Sequence, residues 1–217
     1  MTHTVHPYSF RLQSIRGWRS RWPRVKQYRD FLKVSVIIRE WLEKRLRGMY
    51  VEDMEIDCSP DSFDLKIKTS RPGMIIGRGG EGIEKLKKEV VKKINKLNLG
   101  AFKNIKVAVE EVKSPESHAR IIAQMMAESL EKRLPFRRVL KQAIDRAMSS
   151  KEVKGVKAAL KGRLGGSEMG RYEWLHQGRI PLQTLRADID FAREKAHLPY
   201  GDIGIKVWIY RGEIFEK

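Results

Sequence analysis

The sequence holds a single cysteine, Cys58, among its 217 residues. A lone thiol excludes an internal disulfide and a cysteine-based metal site. Its strand context marks it as a small buried apolar residue, inert and suited to a reducing compartment. No apolar run approaches the roughly 18 residues of a transmembrane helix. No apolar h-region opens the chain, so neither a membrane partner nor a secretory signal is expected. The Arg-rich, acid-poor start has the composition of a mitochondrial transit peptide, but Pro7, Pro23 and the lack of a clean apolar stripe argue against one. His6, His118, His176 and His197 have no cysteine and no i+4 histidine beside them, so no metal is expected. No Ser-His-Asp or Cys-His arrangement, internal repeat or low-complexity tract is visible.

Acidic residues are also in short supply. Asp and Glu number 27 against 45 Lys and Arg, a net charge of +18 with a pI near 10.1. Such an excess repels itself in a free compact protein and makes sense beside a polyanion. Nucleic acid is the first candidate and an anionic membrane surface the second. Hydrophobic content is an ordinary 41%, so packed cores are expected in one or two domains. Residues 1–30, with seven basic and one acidic residue, are the most basic per residue; residues 113–217 carry the largest total excess.

Residues 1–30 show no clear period. Arg11, Arg16, Arg19 and Arg21 interleave with Tyr8, Phe10, Trp18, Trp22 and Tyr28. That pattern suits an arm lying along a phosphate backbone and stacking on bases; the same aromatics could also dock the arm onto its own domain. A helix over 31–48 follows, with Val34, Ile37, Ile38, Trp41 and Leu42 on one stripe and Gly48 as its stop. Met54, Ile56 and Cys58 alternate with charges, and after the turn residues 59–62 so do Phe63, Leu65 and Ile67, which predicts a hairpin with one wet face. A helix over 81–97 has the stripe Ile83, Leu86, Val90, Ile94 and Leu97, supported by Glu81–Lys85, Glu84–Lys88 and Glu89–Lys93 pairs. Gly100 lies just beyond it, and residues 102–112 give a third strand with Ile105, Val107 and Val109 inward. Ser114, Pro115 and Glu116 read as the N-cap and first turn of a helix over 115–133. Pro135 opens another, to about 148. Four strands close the chain, within 155–166, 170–183, 187–198 and 202–212. The fold class is α+β in two domains, with a boundary near 112–114.

The glycine-rich stretch MIIGRGGEG (74–82) admits two readings. As G-x-G-x-x-G from Gly77 to Gly82 it would be a dinucleotide-binding turn of a nucleotide-dependent enzyme. That turn needs a buried parallel strand running straight into the first glycine. Here the preceding strand alternates, and Ser70-Arg71-Pro72-Gly73 cut it off from the loop. The other reading is a GXXG loop, Gly77-Arg78-Gly79-Gly80. Helix, two strands, a helical turn at Pro72–Ile76, glycine loop, helix and strand is the order of a type II KH domain, a mixed three-stranded sheet with helices on one face. Glycines without Cβ let a sugar-phosphate backbone approach the loop amides. The start of helix 81–97 offers free N–H groups and its dipole, and such a loop clamps about four nucleotides. Arg78 adds a mobile charge; Arg71, Lys85 and Lys88 flank it. On this reading Gly82 is coincidental.

RPGMIIGRGGEGIEKLK (71–87) resembles the KH segment of the bacterial small-subunit ribosomal protein three family. GRLGGSEMGRYEWLHQGRIPLQTLRADID (162–190) and YGDIGIKVWIYRGEIF (200–215) resemble that family's C-terminal domain. FRRVLKQA (136–143) is similar to its basic helix and Val5-His6-Pro7 to its N-terminal signature. The resemblance covers nearly the whole chain and implies a basic arm (1–30), a KH domain (31–112) and a C-terminal ribosomal domain (113–217) of two helices on a four-stranded sheet. It implies a non-enzymatic protein without cofactor, cytoplasmic in the ribosome and not a homo-oligomer. The implied partners are small-subunit rRNA, neighbouring ribosomal proteins and mRNA at the pore through which it enters. Arg137, Arg138 and Lys141 correspond to the family's mRNA-facing residues. The chain departs from the family at its opening Met1-Thr2-His3-Thr4, at Gly79, where many members carry a second basic residue, and at its end, Lys217, where some carry a basic tail.

Spacing supports the helix residues independently. Arg137 and Lys141 stand i, i+4 with Arg138 beside them, and only Asp145 offsets them within the helix. Gly162, Gly165, Gly166 and Gly170 read as strand bends near RNA, with Arg163 and Arg171 on phosphate. Trp174 and Arg179 could stack on a base, and Trp174 could equally be core. Asp188 and Asp190 share a strand face, with ion pairs to Arg186 and Arg193 expected rather than a metal. Trp208 and Tyr210 lie opposite the Ile205, Val207 and Ile209 face, which would leave one side of the last strand as an interface.

Overall fold

The computed structural model describes all residues except 1–4, 13, 23–27, 60–61, 97–103 and 216–217. Met1 to Thr4, Pro23, the Pro60-Asp61 turn, Leu97, Gly100 and Lys217 therefore lie outside the described residues. In chain order the elements are α1 (Pro7–Phe10), β1 (Ser20–Arg21), α2 (Tyr28–Arg45), β2 (Val51–Cys58), β3 (Ser62–Thr69), α3 (Pro72–Ile76), α4 (Glu81–Lys96), β4 (Asn104–Glu111), α5 (Ala119–Glu131), α6 (Phe136–Ser149), β5 (Gly155–Gly162), β6 (Arg171–Gly178), β7 (Ala187–Leu198) and β8 (Gly201–Glu213). Two compact units result: Trp18–Lys113, and Ser114–Lys217 together with Met1–Gly17.

In the first unit the expected hairpin forms, with Ile56 opposite Leu65 and Cys58 opposite Phe63, and β4 joins β3 in parallel. The mixed sheet has one more strand than expected. The arm supplies β1, two residues pairing in parallel with β2 at Ser20–Ile56. Phe31, Val34, Ile38 and Leu42 of α2 and Leu86, Val90 and Ile94 of α4 pack on the face made by Met54, Ile56, Phe63, Leu65 and Ile67. Each such side chain contributes about 1.5–3 kcal/mol on burial, which holds α4 by one apolar stripe while its lysines stay in water. Glu81–Lys85 forms as expected, whereas Glu89 meets Arg45 of α2. Burial, with Asp57 and Asp64 nearby, pushes the Cys58 thiol up to about 12, so it is inert as expected.

In the second unit the sheet is antiparallel in the order β6-β5-β8-β7. Helices α5 and α6 cover one face, with Ile122, Met126, Leu140 and Ile144 on Val156, Leu160, Ile205 and Val207. Three sequence expectations are corrected here. Ser114 and Pro115 open a separate 3-10 turn (Pro115–Ser117), and α5 starts only at Ala119, whose N–H donates to Asp190 Oδ2 at 2.7 Å. A carboxylate from a distant strand, not a local serine, caps this helix and complements its dipole. Trp208 and Tyr210 are not a free interface. They are buried with Ile189 and Phe191 beneath Tyr8, Ile180 and Leu182 of the same chain. Asp188 and Asp190 do form ion pairs, but with Arg16 and Arg211, while Arg186 meets Glu213. The sequence-distant arm reaches this strand; the sequence neighbours do not.

Candidate nucleic-acid interface

Helix α3 ends at Gly77, where φ is +71°, and its N–H donates to the Gly73 carbonyl at 3.0 Å. Arg78–Gly80 make one 3-10 turn with Gly79 at φ 60° and Gly80 at φ 84°, and α4 begins at Glu81. The loop therefore joins two helices, and β3 has already ended at Thr69. A dinucleotide turn needs the strand end itself at the first glycine, so the geometry favours a backbone clamp. At Gly79 an added Cβ meets nothing within 4 Å, and Arg78 and Gly79 are exposed. The loop tip is thus open to a ligand backbone.

Gly82 is not coincidental, contrary to the sequence reading. A Cβ there would lie 2.4 Å from the Ile75 carbonyl oxygen and 2.7 Å from that of Ile76. The first turn of α4 packs backbone to backbone on the last turn of α3, and only glycine allows this approach. The residues flanking the loop are partly engaged. Lys85 meets Glu81 at 3.4 Å with both side chains exposed, and Lys88 is exposed. The Arg71 guanidinium lies 4.3 Å from the Tyr50 ring centroid. Glu81 and Glu84 occupy the first turn of α4. They suit its dipole, and their charge would oppose a phosphate brought to this helix end.

On α6 the buried side is Val139, Leu140, Ala143, Ile144 and Ala147, leaving Arg137, Arg138 and Lys141 exposed together. The sequence missed one offsetting acid: Glu173 of β6 lies 3.7 Å from Arg137 Nε. Arg137 is 76% exposed there, and such a surface pair contributes about 0–1 kcal/mol. A groove of about 430 Å³ runs between α6 and β6, lined by Arg137, Lys141, Leu140, Ile144 and Leu175 among others. No acid occupies the first turn of α6. Two arginines at a helix N-terminus oppose its dipole by about 0.3–1 kcal/mol each, so they are not placed for helix stability.

The remaining site residues fall into different settings. Arg171 and Arg179 are exposed at the two ends of β6, and Trp174 is 48% exposed, so it is not core. Arg163 is exposed, yet its Nε donates to the Ser167 carbonyl at 3.0 Å and its Nη1 to the Tyr200 carbonyl at 3.3 Å, which secures the turn it opens. Arg19 pairs with Asp53 at 3.0 Å, and Arg21 is exposed with Nε 3.4 Å from the Trp18 carbonyl. Arg11, read from the sequence as reaching for phosphate, is 1% exposed. Its guanidinium donates to the carbonyls of Ala187 at 2.8 Å, Leu182 at 2.8 Å and Thr184 at 2.9 Å. Burial, with Arg16 beside it, holds its pKa below the usual arginine value.

Arg16 is half-buried and equally engaged. Its Nη2 donates to Asp188 Oδ1 at 3.0 Å and its Nη1 to Tyr8 Oη at 2.9 Å, while Tyr8 Oη donates to Asp190 Oδ1. Burial opposes its charge, but Tyr8, Asp190 and Asp188 outweigh burial and raise its pKa. Sequence reasoning named Tyr8 and Asp190 but not as partners of Arg16, and it missed Arg211 and the Ser117 carbonyl altogether. Arg211 Nη2 donates to the Ser117 carbonyl at 2.9 Å and lies 3.5 Å from Asp190. The paired aspartates on one strand face were the only signal of this network in the sequence.

A family model for the KH domain matches residues 37–117, and one for the ribosomal protein S3 C-terminal domain matches residues 126–209. The small ribosomal subunit protein uS3 of Clostridium novyi (strain NT) is 45% identical over 215 residues, which are 99% of this chain and 94% of that protein. That of Endomicrobium trichonymphae is 42% identical over 217 residues, 100% of this chain and 90% of the relative. That of Microcystis aeruginosa (strain NIES-843 / IAM M-2473) is 43% identical over 215 residues, 99% of this chain and 86% of the relative. With both units matched and the likeness running end to end, the chain belongs to the uS3 family of small ribosomal subunit proteins.

Proposed function

We propose that this chain is a structural, non-enzymatic component of the cytoplasmic small ribosomal subunit that binds small-subunit rRNA and neighbouring ribosomal proteins. On this reading α6 lines the pore through which mRNA enters, and Arg137, Arg138 and Lys141 hold its phosphates while secondary structure opens. The observation that carries the reading is the placement of these cations. They share the solvent side of a helix whose other side is locked into the core, and two of them stand at the end where helix electrostatics disfavours positive charge. A mobile polyanion passing over that face would relieve this cost. The exposed Arg78–Gly80 tip serves as a second, weaker contact to RNA backbone.

Ribosomes carrying Arg137→Ala with Lys141→Ala test the α6 assignment. They are expected to assemble and to translate unstructured mRNA normally, yet to slow at stable hairpins. Unchanged passage through hairpins would remove α6 from the mRNA path.

A further inference from the structure

The face of the β6-β5-β8-β7 sheet opposite α5 and α6 carries a pattern that neither the glycine loop nor the α6 cations use. The strand registers align Trp174 of β6 with Ala159 of β5, Lys206 of β8 and Arg193 of β7. Two residues along, about 7 Å away, Tyr172 aligns with Lys161 and Gly204. Each row has an aromatic ring on the edge strand, a small residue within it and a cation beyond or between. Gly204 is partly exposed, whereas Ala159 is buried beneath the neighbouring side chains.

These rows are open. Tyr172 and Trp174 are 52% and 48% exposed, and Lys161, Arg193 and Lys206 are exposed. Among the described residues none of these three cations has a carboxylate partner. Asp202, on the same face of β8, is held by His197 Nδ1 at 2.6 Å. Lys157 Nζ stands 4.7 Å from the Trp174 ring centroid and so orients that ring.

We propose that the exposed part of this sheet face, beside the part that Tyr8, Ile180 and Leu182 cover, binds a single-stranded RNA segment, with bases stacked on Trp174 and Tyr172 and phosphates held by Lys161, Arg193 and Lys206. The proposal rests on the reading of the chain as an RNA-binding ribosomal component and assigns that reading a surface. Cations without a carboxylate partner, beside exposed rings, are what single-strand binding requires, because every base offers a π-face and every linkage a charge. An acidic protein neighbour would use the cations but leave the two rings without a role.

The test titrates the full-length chain against a fluorescein-labelled oligouridylate of about 12 nucleotides. Arg193→Glu with Lys206→Glu is expected to weaken binding at least ~10-fold and to lower the log–log salt slope by about 1.4, for two phosphates lost. Trp174→Ala is expected to weaken binding about 5-fold or more with the slope unchanged, and Trp174→Phe to restore most of it. Circular dichroism confirms that each variant is folded. Wild-type affinity in both the charge and the ring variants overturns the proposal. Wild-type affinity with failed uptake into small subunits overturns it too and assigns the face to an acidic protein. If the unmodified chain itself does not bind the oligonucleotide, the RNA-binding reading falls with it.

Discussion

Asp190 is a carboxylate removed from water and then surrounded. Burial alone would raise its pKa. Arg16, the Tyr8 hydroxyl, Arg211 and the Ala119 N–H together outweigh burial and hold it below the usual carboxylate range. One residue thereby ties the N-terminal segment, the start of α5 and strands β7 and β8. A carboxyl whose folded pKa is depressed contributes stability that is fully present above its unfolded value near 3.9 and is lost as the pH falls through the folded one. Asp190→Asn is therefore expected to cost about 1.5–3 kcal/mol at neutral pH, because it removes the charge that Tyr8, Ala119, Arg16 and Arg211 share while Asp188 still faces both arginines. In thermal melts the gap between wild type and variant should narrow steadily below about pH 4. A gap unchanged down to acid pH would show that the charge of Asp190 does not matter. The acid pair was legible in the sequence, but its partners were not. Spacing pointed to Arg186 and Arg193 nearby, whereas Arg16 arrives from the other end of the chain.

Most of the elements could be read directly. The strands of the first unit alternate against a single core face, and β7 spans the residues its pattern marks, Ala187–Leu198. What escaped was set by tertiary contacts. Strand β1 has two residues and exists only because β2 presents an edge. The start of α5 moved to Ala119 because Asp190 supplies its cap. Gly82 looked incidental because a helix-to-helix approach leaves no periodic trace. The α3–α4 junction can be tested at two glycines. Gly82→Ala drives a methyl into the Ile75 and Ile76 carbonyls and is expected to cost roughly 1–3 kcal/mol in urea denaturation. Gly79→Ala meets no atom within 4 Å but keeps φ at 60°, and should cost only about 1–2 kcal/mol. Loss of RNA affinity in folded Gly79→Ala, together with destabilisation in Gly82→Ala, would separate the clamp from its scaffold. Equal, negligible effects would contradict the packing described.

At the scale of the whole molecule, the charge of +18 is the property that composition alone exposed, and it put nucleic acid ahead of a membrane surface as the class of partner before any motif was read. The structure sorts that charge. Arg11 and Arg16 hold the protein's own carbonyls and carboxylates, so part of the basic arm serves folding. Exposed cations remain at the glycine loop, on α6 and on the open sheet face. Which arginines were structural was illegible because burial depends on contacts between distant segments. The chain as a whole is read as a component of the small ribosomal subunit, held by many phosphate contacts and by packing against neighbours. Sedimentation of the tagged chain with small subunits through a series of salt washes tests this most directly. The account predicts that it travels with the small subunit and remains there at high salt, because many contacts act together. Recovery at the top of the gradient at every salt concentration, with none on the subunit, would contradict it.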